Sequence, residues 1–432
     1  MNAAIDVRTI PVLDPIAPEE YRARLERLRG LMRENGLDGL VLSDHVPGQV
    51  QMYSWQPNSA YVRYLSGFHL PEVTGPYAGI LVVPLSGDPS LVVPPGALRS
   101  FQLLAERMTW IGQVVTSYQE DPAWEERTWW GLITDQGADV AKALRASGLV
   151  SGRVGVAGSW KGIEETKSAL PDVEFVSTLV DGGDDSLRSH TGGKRDILQH
   201  LISDASPAEV ERLELAHAAS DAALTAYIGA AKAGATQREA LVEGKVAGIR
   251  AGAEDVWFIG TVDVKPFIFW DLSLVGPTDR FKEGELYFAE IAQATVEGYK
   301  IQTVRSFVVG APSPSQVRLM QTLKGAVETM IETARPGMTG GEIWELGIKL
   351  TADAGYEPWV VFGHSEGFKP HPRPIAFGPG NRDFLEVGQV VNLHVSMRDT
   401  INDHIGMTGD TYLMESGGLR PLTTVPIPLD AL

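Results

Sequence analysis

The most informative part of this sequence is Gly363-His364-Ser365-Glu366-Gly367-Phe368-Lys369-Pro370-His371. Its glycines and its proline favour strand and turn over helix. Histidine side chains titrate near neutrality, so His364 and His371 suit proton transfer or metal binding. His394 and His404 follow in the same part of the chain. A lone histidine is more often structural, but four in one region predict a functional site on strands and loops.

An acid and an amide lie on two apolar runs upstream of these histidines. Glu290 is inside an apolar run, where a carboxylate is costly to bury unless it is paired or functional. At the edge of a sheet it would instead reach solvent. The runs 286–294 and 299–309 predict two paired strands, which would bring Gln302 and Arg305 close to Glu290. A structural ion pair is the alternative role for Arg305.

Alternating helix and strand patterns predict an α/β domain over residues 1–185, a linker over 186–206 and a second domain over 207–432. The second domain mixes helices with antiparallel strands, which is typical of an α+β fold. A capping-box signature at 206–209 starts its first helix. The predicted helices are 18–36, 137–147, 207–232, 316–333 and 341–354, and further predicted strands are 37–42, 79–83, 90–93, 154–157, 389–397 and 405–414.

Composition argues against several classes of protein. The 432 residues are 44% hydrophobic and 21% charged, which suits two or three packed domains. The formal charge of -18 would repel phosphate backbones and anionic lipids. There is no cysteine, which excludes thiolate catalysis and thiolate metal sites. No apolar leader begins the sequence and no run reaches the ~18 residues of a membrane span. We therefore expect a cytoplasmic protein that binds neither nucleic acid nor membrane.

Four motifs, in order, resemble the pita-bread family (peptidase M24), which includes creatinase, prolidase, aminopeptidase P, methionine aminopeptidase and ectoine hydrolase. The run 61–68 resembles the N-terminal signature of the family, and 206–211 resembles the start of its catalytic domain. The run 298–310 is similar to its strand hairpin, and Gly363-His364 with His371 is similar to its two-histidine segment. The resemblance implies a creatinase-like N-terminal α/β domain followed by a pita-bread catalytic domain.

Peptidases of this family hold two divalent ions with two aspartates, one histidine and two glutamates. The resemblance puts Glu290 and Gln302 at the aspartate positions, His364 at the histidine, and His394 and Gly409 at the glutamates. Two hard cations need several carboxylate oxygens to offset their mutual repulsion, so this set predicts the loss of the two-metal centre. We therefore expect no cofactor. If one metal binds, Glu290, His364 and His394 are its predicted ligands.

Creatinase and ectoine hydrolase are similar members that lack the full metal set, and they imply a small polar substrate here. Because the lost acids make the site less acidic, we expect that substrate to carry an anionic group. The predicted substrate-binding residues are Lys265 and Asp263 in an apolar loop, Arg305, Arg373, Arg398 and Phe258. A plain surface position is the alternative for Lys265.

Members of this family are usually homodimers in which the N-terminal domain of one subunit covers the site of its partner. This implies that Tyr61, Arg63 and Tyr64 contact the partner subunit's site. The alternative is that they are core and surface residues of their own domain.

The sequence predicts a metal-independent hydrolase that cleaves an amide, amidine or guanidino C–N bond. His364 or His371 would activate water or protonate the leaving nitrogen, and Glu290 would orient that histidine or bind a cationic part of the substrate. Gln302 and His394 would polarise the reacting centre. Three alternatives stay open: a lyase, isomerase or cyclase on the same scaffold, a mononuclear-metal Xaa-Pro-type peptidase, and a degenerate fold used only for binding.

Overall fold

The structure is a computed structural model that describes residues 11, 13–43, 60–68, 79–93, 108–115, 136–160, 162–181, 194–198, 201–202, 204–264, 267–272, 279–360, 362–368 and 375–423. Three predicted site residues, Lys265, His371 and Arg373, lie outside these ranges, as does part of the predicted linker. Within the described ranges, no helix has both the length and the apolar character needed to cross a membrane.

The amino-terminal part is a mixed sheet covered by helices. Its strands are β1 (Gly39–Ser43), β2 (Ile80–Pro84), β3 (Ser90–Val92), β4 (Gln113–Val115), β5 (Gly152–Ala157) and β6 (Val173–Ser177), and its helices are α1 (Pro18–Glu34), α2 (Ala60–Ser66), α3 (Gln136–Ala146) and α4 (Ile163–Ala169). The strand order is β4-β3-β2-β1-β5-β6, with β1 antiparallel to β2 and parallel to β5. Successive residues of β1 belong to different cores, Leu40 with α1 and Val41 with α3, because helices cover both faces. The predicted α/β class is confirmed.

A two-stranded pair, β7 (Leu179–Asp181) and β8 (Lys194–Asp196), follows before the second part of the chain. The helices of that second part are α5 (Pro207–Ala230), α6 (Gln237–Arg250), α7 (Pro314–Thr333) and α8 (Gly340–Asp353). Its strands are β9 (Asp255–Val264), β10 (Phe267–Asp271), β11 (Leu286–Val296), β12 (Tyr299–Val308), β13 (Glu357–Pro358), β14 (Gly363–Ser365), β15 (Gly367–Phe368), β16 (Val390–Asp399), β17 (His404–Glu415) and β18 (Gly418–Pro421). They form one ten-stranded sheet with the order β10-β9-β11-β12-β17-β16-β13, to which β14 adds on β16, β15 on β12 and β18 on β17.

The helices of the second part contact one face of this sheet. Asp410 on β17 lies beside His217 of α5, and Gly406 on the same strand lies against Leu323 of α7. Residues 406 and 410 share a face because side chains alternate along a strand. The opposite face, which carries Gly409, is therefore the one on which a site can form without displacing the helical core.

Local signals explain the start and the end of α5. The Ser206 hydroxyl accepts a hydrogen bond from the Glu209 backbone N–H at 3.3 Å, and the Glu209 carboxylate accepts one from the Ser206 N–H at 2.7 Å. This is the predicted capping box. The helix ends at Ala230, two residues earlier than predicted, because Gly234 turns the chain into backbone hydrogen bonds with Phe281. A second capping box, at Thr236, starts α6, a helix that the sequence analysis missed.

The two parts of the chain meet at a buried arginine. Arg24 on α1 donates hydrogen bonds to Glu209 at 3.2 Å, to the Tyr299 hydroxyl at 2.9 Å and to the Tyr64 carbonyl at 2.7 Å. Burial raises the pKa of Tyr299 well above its usual range, so its hydroxyl keeps its proton and donates to Glu209 at 3.0 Å. The rings of Tyr64 and Tyr299 both contact Phe368. The amino-terminal part is thereby attached to β12 and β15.

Candidate active site

A transverse row of residues crosses the face of the large sheet that lies opposite its packed helices. Glu290 on β11 is the register partner of Val304 on β12, Val304 of Gly409 on β17, and Gly409 of His394 on β16. Directly opposite residues of neighbouring strands share a face, so Glu290 and His394 lie on the same side of the sheet. Gln302 shares that face with Val304 and donates a side-chain hydrogen bond to Glu290. The structure thus brings Glu290, Gln302 and His394 together.

His364 joins this row from the edge of the sheet. It lies on β14 opposite Asn392 of β16, and its ring centroid is 5.9 Å from that of His394. Both histidines and Glu290 are buried. A buried carboxylate and two imidazoles on one face can exchange protons with a bound molecule, which is the chemistry that the sequence predicted for these residues.

Two charged side chains, absent from the predicted site, lie in a chain of contacts that begins at His364, since Glu366 contacts the imidazole and Lys300 contacts Glu366. The Glu366 carboxylate has Oε1 at 3.1 Å from His364 Nδ1 and Oε2 at 2.8 Å from Lys300 Nζ. Lys300 is 5% exposed and Glu366 is 1% exposed. Glu366 lies between β14, which pairs with β16, and β15, which pairs with β12. The segment 363–368 therefore bridges two strands of the sheet beside the row.

The surroundings of His364 determine which ring nitrogen carries the proton. Its Nδ1 lies 3.1 Å from the Ser365 carbonyl oxygen as well as 3.1 Å from Glu366 Oε1. A backbone carbonyl and a carboxylate only accept hydrogen bonds, so Nδ1 must be the N–H donor. In the neutral ring, the lone pair then belongs to Nε2. With its lone pair on Nε2, the His364 imidazole can act either as a general base or as a metal ligand. The other side chains at the site decide between these two roles.

The side chains present do not fit the two-metal centre of metallopeptidases. The second glutamate position holds Gly409, and an added Cβ there would clash with the Leu393 carbonyl oxygen and with the backbone of His394. Gln302 offers an amide at the second aspartate position, and a neutral amide does not offset cation repulsion. Among the residues that the structure describes, no group of three or more His, Asp or Glu side chains is arranged to hold a metal ion.

We predict that Gly409→Ala destabilises the protein by about 1–3 kcal/mol, because the new methyl group meets backbone atoms of β16 that cannot rotate away. Urea unfolding followed by circular dichroism measures the loss. Gly417→Ala is the matched control, since the space beside Gly417 is open. Equal stability of the two variants would contradict the tight packing of β16 on β17.

Arg305 and Phe258 were predicted to bind substrate, and the structure corrects both. Arg305 is buried, donates to Asp410 at 2.9 Å and to the Gly409 carbonyl at 2.8 Å, and so forms the structural ion pair that was its alternative role. Burial raises the pKa of Asp410, and the Arg305 guanidinium opposes that rise. Phe258 is fully buried against Tyr227 of α5, on the helical face of the sheet.

Asp263 and Arg398 lie near the ends of their strands, away from the row. Asp263 is on β9, not in the predicted loop, and pairs with Lys282 at 3.0 Å. It is four residues along β9 from Ile259, the register partner of Glu290, which is roughly 13 Å. Arg398 is exposed and four residues along β16 from His394, a similar separation. Neither side chain is placed to contact a molecule held by the row itself.

Tyr61, Arg63 and Tyr64 have partners within their own chain. The Tyr61 hydroxyl donates to Asp196 at 2.9 Å, and Arg63 forms an ion pair with Glu254 at 3.1 Å. Tyr64 is buried beside Arg24. These contacts correspond to the alternative role given to the three residues. A homodimer with contacts in trans stays a prediction.

The residues that sequence reasoning missed had weak local signals. Glu366 is a charge inside a strand-like run between two glycines, which is the same anomaly that identified Glu290. Lys300 lies two residues before Gln302 on β12, so both side chains were predictable as members of one face of that strand. Asn392 donates to the Gln302 carbonyl at 3.0 Å and to the Asp410 carbonyl at 3.1 Å, where β12 and β17 separate. Nothing in the sequence indicated that separation.

The fold and the site define a two-domain protein with a buried histidine and carboxylate site on one face of the large sheet. Residues 211–420 match the metallopeptidase family M24, and residues 24–181 match the creatinase/prolidase N-terminal domain. Residues 211–420 therefore form a domain of the metallopeptidase family M24, and the predicted pita-bread fold is confirmed.

Individual proteins show the same relationship. The chain is 24% identical over 235 residues to an Xaa-Pro dipeptidase of Pyrococcus furiosus, covering 53% of this chain and 65% of that protein. It is 29% identical over 99 residues to an Xaa-Pro dipeptidase of Lactobacillus delbrueckii subsp. lactis, covering 22% of this chain and 27% of that protein. Both alignments span less than two thirds of the relative. The crystal structure of dipeptidase PepE from Mycobacterium ulcerans superposes with a TM-score of 0.69 at 21% identity, over 96% of this chain and 99% of that chain, which shows the shared fold.

Proposed function

We propose that this chain hydrolyses a C–N bond in a small substrate, with His364 as the general base. The observation that supports this most strongly is the His364 ring, whose Nδ1 faces two acceptors so that the lone pair belongs to Nε2. An imidazole in this state accepts a proton from water near neutral pH. Gln302 and His394, on the same face, would donate hydrogen bonds to the oxygen on which negative charge develops.

The proposed reaction is a hydrolysis in which the proton moves twice. His364 Nε2 takes a proton from water as the water oxygen bonds to the carbonyl carbon and the C=O electrons move to the oxygen. The C–N bond then breaks, the C=O bond reforms, and Nε2 returns the proton to the leaving nitrogen. The products are a carboxylic acid and an amine. Glu290, held by Gln302, would orient the substrate or its leaving nitrogen.

Xaa-Pro dipeptides are the first substrates to test. The two relatives described above are Xaa-Pro dipeptidases, and this similarity favours a peptide bond over the amidine or guanidino bond expected from the sequence. The same similarity favours a second candidate, the mononuclear-metal Xaa-Pro peptidase. Against it stands the donor set at the site, with an amide and a glycine at two ligand positions.

We predict that turnover by the purified full-length chain survives removal of metal ions. The assay offers Xaa-Pro dipeptides beside small amides and amidines, before and after dialysis against a chelator, with elemental analysis of the same sample. We expect less than a twofold change in rate, because the proposed base needs no Lewis acid, and oxygen-18 from labelled water in the acid product.

Three results would contradict the proposal, and each indicates a different alternative. Activity lost on chelation and restored by one metal would support the mononuclear peptidase. A product without oxygen-18 would indicate a lyase, isomerase or cyclase. Absence of turnover across the series, with tight binding of one member, would support a binding protein.

A further inference from the structure

We propose that Lys300 and Glu366 are positioning residues that fix the orientation and the tautomer of the His364 ring. The inference rests on the proposed function and adds two residues to it. Glu366 reaches both partners at once, with Oε1 at 3.1 Å from His364 Nδ1 and Oε2 at 2.8 Å from Lys300 Nζ. A carboxylate that accepts the Nδ1 proton holds an imidazole in the form that is basic at Nε2.

The burial of this pair argues against a role in stability alone. Lys300 is 5% exposed and Glu366 is 1% exposed, so both charges have lost most of their hydration. Replacing such a buried pair with apolar side chains of similar volume is often neutral or stabilising. The pair therefore costs the fold more than an apolar pair would, and its contact with His364 supplies a reason for that cost.

Lys300 has a separate part in this arrangement. Its ammonium group lies 2.8 Å from Glu366 Oε2, and this ion pair fixes the carboxylate so that Oε1 faces His364 Nδ1. The ammonium comes from β12 and the imidazole from β14, so Glu366 also links two strands that do not pair with each other.

The experiment removes both charges together. In the full-length double variant Lys300→Met/Glu366→Leu, we expect kcat to fall about 10–100-fold while KM changes less than threefold. We expect the thermal midpoint to stay the same or to rise. A purely structural pair would lower stability and leave the kcat of the folded fraction unchanged.

Nitrogen-15 NMR of histidine-labelled protein reads the tautomer without any substrate, and the His364 signals are assigned from their loss in His364→Gln. We expect the protonated nitrogen to be Nδ1 in the wild type and a mixture of tautomers in the double variant. An unchanged tautomer would overturn the inference even if hydrolysis is real, and so would a changed tautomer with unchanged kcat. If the wild type turns over no substrate, the proposed function fails while the NMR result still decides the positioning.

Three further variants keep the test decisive. Glu366→Asp retains the charge opposite Lys300 but withdraws the carboxylate by one methylene, so it serves if the double variant does not fold. We expect it to lower kcat and to mix the tautomers as well, and a wild-type tautomer would overturn the inference. Lys349→Met and Glu164→Gln are matched controls, because each removes one partner of an exposed helical ion pair, and both should leave kcat and tautomer unchanged.

Discussion

Replacing His364 by glutamine is expected to lower kcat by about 10²–10⁴-fold, which is the contribution that a general base usually makes. Glutamine occupies a similar volume, and its amide can still donate a hydrogen bond to Glu366, so the fold should be retained. It has no basic nitrogen to accept a proton from water. Steady-state kinetics on the best substrate found, with a circular dichroism spectrum of each variant, measures both properties.

His404→Gln is the control for this substitution. His404 lies at the start of β17, five residues from Gly409 and so about 17 Å along the strand from the row, and its ring contacts Ser315. We expect its kcat to stay within twofold of the wild type. A His364→Gln variant that retains full activity would remove His364 from the mechanism and with it the proposed function.

The largest expected effect on stability comes from Arg24→Met, which should cost about 3–5 kcal/mol. Glu209 is 2% exposed and would lose the guanidinium that neutralises it. The Tyr299 hydroxyl and the Tyr64 carbonyl would lose their donor as well. The midpoint of urea unfolding should move to a lower urea concentration. The two parts of the chain should also unfold in separate transitions, since Arg24 joins α1 to α5 and β12.

Arg33→Met is the matched control because it makes the same change on the same helix. The Arg33 side chain is 53% exposed and lies 4.0 Å from Glu26, so its loss should change stability by no more than about 0.5 kcal/mol. The double variant Arg24→Met/Glu209→Gln should recover part of the loss, since it also removes the buried negative charge. A single variant as stable as the control would show that Arg24 does not carry the interface.

Most secondary structure was predictable because its signals are local. The periodic run of apolar residues predicted α1 to within two residues of its end, and glycine turns bounded β11 and β12. The errors have physical reasons. β9 was interpreted in part as a loop, since Asp263 and the following lysine and proline interrupt its apolar pattern. Hydrogen bonding to β10 and β11 overrides that weak propensity.

The site was predictable only where one strand pairs with its neighbour in sequence. Glu290 and Gln302 lie on the two arms of a hairpin, so their contact follows from the turn. The predicted substrate-binding role of Phe258 was wrong because a shift of one residue moves a side chain to the opposite face of a strand. Sequence alone does not fix that register. The contact of Lys300 with Glu366 depends on β15 joining β12 across a long connection, which no local pattern encodes.

Residues 363–368 contain the candidate base and also contact the amino-terminal part of the chain. Phe368 packs on Tyr64 and Tyr299, while His364, four residues earlier, faces His394. The amino-terminal domain therefore supports the segment that carries the imidazole, in addition to packing beside the sheet. In an isolated carboxyl-terminal fragment, the ring of Phe368, which packs on Tyr299, would no longer be covered by Tyr64. The catalytic activity of such a fragment would therefore be a poor measure of the intact molecule.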